Sequence, residues 1–220
     1  MSLWSRFRER ARRAVAARPP DGGGTLSGRE GAFRLIAGLG NPGPRHAGTR
    51  HNAGFWLVDE LARRYGAGLR EDARYRAEIA RVEIDGFDCR LVKPLTYMNH
   101  SGQAVGALAR FYKIPAEAIL VAHDEIDLPP GSVRIKRGGG HGGHNGLRHI
   151  QSTLGTPEFA RLRLGIGHPG HKDDVVPYVL SRPSEAELRH IQVAIEDAAD
   201  QVPRLLDGQW DQACQRLHTV

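Results

Sequence analysis

FRLIAGLGNPG, residues 33–43, is the stretch on which the fold turns. Phe33, Leu35, Ile36 and Ala37 form a short apolar run that breaks into glycines, the pattern of a buried strand. Gly38-Leu39-Gly40-Asn41-Pro42-Gly43 formally matches the G-x-G-x-x-G fingerprint of dinucleotide-binding proteins. That fingerprint needs a helix to open among the glycines, so that its N-terminus faces a pyrophosphate. Here Pro42, Pro44, Gly48 and Gly54 interrupt the segment, and helical spacing begins only near Phe55. The acidic residue expected at the end of a second strand is missing, since Asp59 and Glu60 fall inside a helical pattern. The glycines therefore end a strand, and a polar loop over residues 41–52 hangs from it. Polar residues at the end of a central strand are where α/β proteins place their sites.

Outward from this stretch, strand and helix patterns alternate. Phe55, Val58, Leu61, Ala62 and Tyr65 have helical spacing over residues 54–65. Residues 77–84 and 87–92 read as strands joined by Asp85-Gly86, a strong hairpin signal. Val105, Leu108, Ala109 and Tyr112 mark a second helix. Residues 118–122 are another buried strand, ending at His123-Asp124. Residues 132–136 and 160–166 alternate, the second run setting Arg161 and Arg163 on the face opposite Leu162 and Leu164. Ser184 with Glu187 makes a capping box for a long helix that Pro203 should end or kink, and residues 210–217 form a last short helix. The expectation is an α/β fold: a single domain whose mixed β-sheet is flanked by helices on both faces, a three-layer α/β/α arrangement.

Composition sets the outer limits. The chain has 220 residues, 40% hydrophobic and 25% charged, which fits one globular domain with an appendage. Residues 1–32 form that appendage, a basic extension containing Pro19-Pro20 and Gly22-Gly23-Gly24 and expected to be flexible; residues 33–220 are expected to form the folded domain that carries the candidate catalytic residues. Of the formal charge of +6, the extension carries +4 and the rest of the chain +2, so "basic, hence nucleic acid" rests largely on the extension. Local distribution says more. Residues 130–172 hold seven Lys and Arg against the single acid Glu158, whereas residues 184–200 hold five acids against Arg189. That asymmetry suits a polyanion-binding face. No run approaches the ~18 apolar residues of a membrane span. Cys89 and Cys214 match neither a disulfide framework nor a zinc spacing, and suit a reducing cytoplasm.

Three further segments carry chemistry. His123-Asp124-Glu125-Ile126-Asp127-Leu128-Pro129-Pro130 follows a buried strand, and a carboxylate there could orient an imidazole. The plain alternative is an acidic surface turn. A metal site from His123, Asp124, Glu125 and Asp127 is the minority reading, because near-consecutive side chains diverge. Gly138-Gly139-Gly140-His141-Gly142-Gly143-His144-Asn145-Gly146 places six glycines in nine positions, a mobile loop able to offer amides to a ligand, or simply a flexible linker. It lacks the Gly-Lys-Ser/Thr ending of a P-loop; flanking Lys136, Arg137 and Arg148 suit a phosphate-bearing ligand. His141 and His144 on such a flexible spacing make a poor preformed metal site. Lys93-Pro94-Leu95-Thr96-Tyr97-Met98-Asn99-His100-Ser101-Gly102 is a strand-to-helix turn. Asn99 or Ser101 could cap the helix there, or the aromatic–Met–Asn run could wall an apolar pocket.

Taken together, LIAGLGNPGPRHAGTRHNAGFWLVDEL, LVKPLTYMNHSGQAV, ILVAHDEIDLPPGSVRIKRGGGHGGHNGL and FARLRLGIGHPG resemble the bacterial-type peptidyl-tRNA hydrolase family, over about residues 33–217. The resemblance implies hydrolysis of the ester joining a stalled peptide to the terminal ribose of tRNA, in the cytoplasm, by a monomer with no metal or organic cofactor. It implies His51 as the general base that activates water, Asp124 as its supporting carboxylate, and Asn41 and Asn99 as holders of substrate and water. Asn145 matches an amide near the scissile ester, and Tyr97 and Met98 match the pocket wall. Lys136 and Arg163 match the pair that grips the tRNA 5′-phosphate. His46 stands where the family usually carries Tyr, so the contact it makes with substrate differs. The residue types suit the chemistry: an ester needs a water, a base of near-neutral pKa and oxyanion donors. The rival reading is a non-catalytic RNA-binding relative, since plant organelle splicing factors share this fold.

Overall fold

The computed structural model describes residues 29–218. Within these residues seven strands form one sheet in the order β2-β3-β4-β1-β5-β7-β6. They are β1 (Arg29–Gly38), β2 (Arg70–Asp72), β3 (Ala77–Ile84), β4 (Phe87–Pro94), β5 (Ile119–Glu125), β6 (Val133–Arg137) and β7 (Ala160–Gly165). β4, β1, β5 and β7 run parallel at the centre, while β2, β3 and β6 add antiparallel edges. The sheet is mixed, as the alternation of helix and hairpin signals implied.

Among the described residues six helices cover it: α1 (Ala53–Arg64), α2 (Gly102–Phe111), α3 (Asn145–Leu154), α4 (Val175–Val179), α5 (Glu185–Leu206) and α6 (Trp210–His218). Strand periodicity divides the core between two faces. Ile36, Leu120, Ala122 and Leu162 pack against Trp56, Leu57 and Leu61 of α1 and against α5 and α6. Leu35, Ala37, Ile119 and Val121 pack against Val105 and Leu108 of α2 and Leu147 and Ile150 of α3. Successive side chains of β1 and β5 thus enter opposite cores, which is why both strands read as unbroken apolar runs.

Local signals resolve as follows. Asp85 and Gly86 both have positive φ, 48° and 84°, giving the two-residue turn whose twist matches the flanking strands. The Ser184–Glu187 capping box is present at the start of α5. Pro203 does not end α5, which runs on to Leu206. Only one ladder bond near the helix end is lost to the proline, and burial of Val202, Leu205 and Leu206 offsets it. Nor does Ser101 cap α2 by its side chain; its Oγ donates back to the Met98 carbonyl at 2.8 Å, and His149 Nδ1 accepts from Gly102 N instead. β1 begins at Arg29, pairing Arg29 with Phe87 and Glu30 with Asp88, four residues before its apolar pattern starts. Most of the basic extension, residues 1–28, lies outside the described residues. Among the described residues no helix is long and apolar enough to cross a membrane.

Candidate active site

The C-terminal ends of β1 and β5 set the position of everything else. Leu39 N donates to Ala122 O at 2.9 Å, so the two strand ends stay paired as the chain leaves the sheet. A Cβ on Gly38 would lie 2.2 Å from Gly54 O, and one on Gly54 would lie 2.3 Å from Ala122 O. The glycines of the apparent fingerprint therefore let α1 press onto the sheet. They do not form a nucleotide cradle.

The loop between them is fixed by reciprocal amide bonds. Asn41 N donates to Asn52 Oδ1 at 3.0 Å, and Asn52 Nδ2 donates back to Asn41 O at 2.9 Å. The Asn41 side chain is spanned across to the third segment, its Oδ1 accepting from Met98 N at 2.8 Å. That bond turns the Nδ2 donor of Asn41 the other way. Trp56 Nε1 and Thr49 Oγ1 tie the loop further, donating to the carbonyls of Ala47 and His46.

His51, in the short 3-10 turn Arg50–Asn52, meets Asp124 at the end of β5. Nδ1 lies 3.0 and 2.9 Å from the two carboxylate oxygens. Nδ1 is then the protonated nitrogen and Nε2 carries the lone pair. Burial lowers the His51 pKa, but the Asp124 charge and hydrogen bond outweigh it, and the net direction is upward. Asp124 is buried, which alone would raise its pKa, yet His51 and His144 hold it well below the usual carboxylate range.

His144 closes the group. Its Nε2 is 3.0 Å from Asp124 Oδ1, while its Nδ1 accepts from Leu147 N at 3.4 Å as the N-cap of α3. One nitrogen accepting a backbone N–H leaves the other as donor, so Asp124 receives an N–H from each side. Ligand atoms of His51, Asp124 and His144 lie within 4.8 Å of one another, close enough for a cation. The cap bond, however, occupies the Nδ1 lone pair of His144 and so leaves Nε2 protonated, with no lone pair for a cation, and the trio is a hydrogen-bonded group. The His123, Asp124, Glu125 and Asp127 combination does not assemble: His123 is buried, its Nδ1 bonds the Asp124 carbonyl at 2.7 Å, and burial beside His144 pushes its pKa down to about 3.

The remaining predicted residues frame this centre. Met98 is buried, and its Sδ would lie 2.6 Å from a Cβ on Gly146, with Leu39 and His144 also touching that position. Asn99 and Asn145, both exposed, thus flank one contact. Tyr97 is 63% exposed and meets His46 edge-on at 6.3 Å between ring centroids, so an imidazole supplies the ring contact at the rim. Lys136 and Arg163 share a face of the β6–β7 ladder, with Lys136 opposite Arg161 and Arg134 opposite Arg163. Lys136 is exposed, whereas Arg163 Nε donates to Glu125 at 2.9 Å.

Sequence reasoning passed over the anchoring role of Asn52 and saw His144 only as an incidental metal ligand. The Gly-His-Asn junction just before an amphipathic helix was the available signal, since the residue ahead of such a helix is its N-cap.

A three-layer α/β protein with a histidine–carboxylate pair and amide donors at its central strand ends has the equipment of an acyl hydrolase. The chain belongs to the peptidyl-tRNA hydrolase family, whose pattern it matches over residues 35–220. It is 80% identical over 193 residues to the peptidyl-tRNA hydrolase of Halorhodospira halophila, covering 88% of this chain and all of that one. The Alkalilimnicola ehrlichii protein of the same name is 62% identical over 188 residues, 85% of this chain and 95% of that one. The crystal structure of peptidyl-tRNA hydrolase from Acinetobacter baumannii superposes with a TM-score of 0.84 at 48% identity, covering 87% and 97% of the two chains.

Proposed function

We propose that this protein hydrolyses the ester between a peptide and the terminal ribose of tRNA, releasing free peptide and reusable tRNA. The observation that carries the reading is the pairing of His51 Nδ1 with both oxygens of Asp124, which leaves Nε2 free to accept a proton from water. The water oxygen attacks the ester carbonyl carbon as its proton passes to Nε2. The carbonyl oxygen becomes an oxyanion, met by the amide donors of Asn41 and Asn145. Collapse breaks the bond to the ribose oxygen, which takes the proton back from His51. Asp124 stabilises the imidazolium formed in between without itself taking the proton.

Asn99, Met98, Tyr97 and His46 receive the peptidyl end, and Lys136 with Arg163 holds phosphate of the tRNA end. The basic face of β6 and β7 supports this division, since it lies one strand away from Asp124. Cys89 and Cys214 are both free, which supports a reducing, cytoplasmic setting. The non-catalytic alternative gains no support, because a base without its oriented carboxylate would be its expected mark. The test is hydrolysis of an N-acyl-aminoacyl-tRNA against a free aminoacyl-tRNA. Cleavage of the first and sparing of the second is the expected outcome; tRNA binding with no ester cleavage would overturn it.

A further inference from the structure

The glycine segment that carries His144 and Asn145 is fastened along its length. Gly138 N donates to Phe159 O at 3.1 Å, and Gln151 Nε2 donates to Gly139 O at 2.8 Å. The strongest tie is Arg161. Its two terminal nitrogens donate to the carbonyls of Gly139 and Gly140, one each. The side chain is 3% exposed, its guanidinium packs 4.9 Å from the Phe159 ring centroid, and its Nε has no hydrogen-bond partner. Burying a cation against carbonyls, with no carboxylate in hydrogen-bond contact, is costly. Such an arrangement persists when the surroundings gain something from it.

What they gain is a defined path from strand to site. From Gly140 the chain makes one turn, closed by His144 N donating to His141 O at 2.9 Å, with Gly142 and Gly143 at φ of 54° and 81°. The turn delivers His144 Nε2 to Asp124 and puts Asn145 at the first position of α3. At the other end, Arg161 sits opposite Lys136 in the β6–β7 register, and a Cβ on Gly139 would lie 2.8 Å from Lys136 Nζ. The same guanidinium therefore borders the phosphate-facing lysine and fixes the loop that completes the catalytic group.

We infer that Arg161 is a positioning residue, holding the glycine segment in register so that His144 meets Asp124 and Asn145 faces the ester. This rests on the hydrolase reading above. It differs from a role in phosphate binding, because the guanidinium is spent on loop carbonyls. Displacing a catalytic group by about 1 Å costs on the order of 100-fold in rate, so loosening the segment should act on turnover.

The experiment compares wild type, Arg161→Gln, Arg161→Lys, Arg161→Ala and Gln151→Ala in peptidyl-tRNA hydrolysis and in amide hydrogen exchange. Arg161→Gln should lower kcat roughly tenfold or more, with KM for tRNA changed less than threefold, and speed exchange across residues 139–144. Arg161→Lys should recover part of the turnover, and added guanidinium ion should partly rescue Arg161→Ala. Gln151→Ala buries no new charge and keeps the idea testable if the arginine variants do not fold. It should give the same pattern, milder. A rise in KM with kcat and exchange unchanged would make Arg161 a phosphate ligand and overturn the inference, as would wild-type behaviour throughout. Loss of wild-type hydrolysis itself would instead count against the proposed function, and the exchange result would still judge the loop contact.

Discussion

Arg50 Nη2 donates to both carboxylate oxygens of Glu187, at 3.1 and 3.0 Å, so the residue beside His51 is fastened to the first turn of α5. Arg50 also donates to Ser181 Oγ at 2.6 Å and stacks 4.1 Å from the Tyr178 ring centroid. Glu187 accepts from Ser184 N at 2.7 Å within the capping box. One pair therefore serves both the helix cap and the loop that presents the base.

Arg50→Met should destabilise the fold by about 2–4 kcal/mol, since it strands a partly buried carboxylate and removes several donors at once. Urea denaturation checks this. The double variant with Glu187→Gln should lose less than the sum of the two single changes, because the remaining partner is no longer an unpaired charge.

His51→Ala should abolish ester cleavage, and Asp124→Asn should lower kcat by roughly 100- to 10,000-fold while tRNA binding persists. Single-turnover kinetics alongside a binding assay separate the two effects. Near-normal cleavage by the His51 variant would remove the assigned base.

The base must be neutral to take a proton, and its pKa is raised above the ordinary 6.5. The acid limb of kcat/KM should therefore fall above that value, with activity increasing as pH rises through it. In Asp124→Asn the residual activity should shift its limb downward, since burial then acts without the opposing charge. Stability runs the other way for this group. A raised histidine stabilises fully below its unfolded pKa and loses that contribution as pH climbs through the folded one. Asp124, held low, stabilises above its unfolded pKa and loses that as acid passes through its folded value. Thermal melts across pH report both signs.

Gly54→Ala should be among the most damaging single-methyl additions in the chain, because the new carbon meets Ala122 O at 2.3 Å and Leu39 N at 2.4 Å. Backbone cannot yield there without separating α1 from the strand ends, so a loss of 3 kcal/mol or more is expected, about the upper range for overpacking. Gly68→Ala, where the added carbon meets nothing within 4 Å, is the matched control and should be near neutral.

Lys136→Ala should raise KM for tRNA and flatten the dependence of log affinity on log salt by about one phosphate contact. Arg163→Ala should also free Glu125 beside the site, so its salt slope should fall and its rate should suffer too. Filter binding at graded salt distinguishes the two.

Much of this was legible in residue order. Apolar runs ending in Gly38 and in His123-Asp124 announced buried strands with chemistry at their ends, and Asp85-Gly86 announced the hairpin. What stayed hidden depends on distant parts of the chain meeting. His144 reaches Asp124 across 20 positions, and nothing local to a glycine run says where it folds back. Arg161 read as one more cation on a polar strand face, because its burial exists only once Gly139 and Gly140 cover it. Arg29 and Glu30 join β1 through backbone pairing and through polar side chains, Arg29 lying 4.6 Å from the Phe87 ring centroid and Glu30 pairing with Arg34 at 3.6 Å, which leaves no apolar run to read.

The ten-residue central strand has one more consequence. β1 enters the sheet at Arg29 and reaches the catalytic loop only after Gly38, a path of about 30 Å. A fluorophore, an affinity handle or a solid support joined directly to Arg29 is therefore attached at the N-terminal end of the central strand, remote from His51. A tethered enzyme made that way should keep its mouth clear for a substrate as large as a nucleic acid.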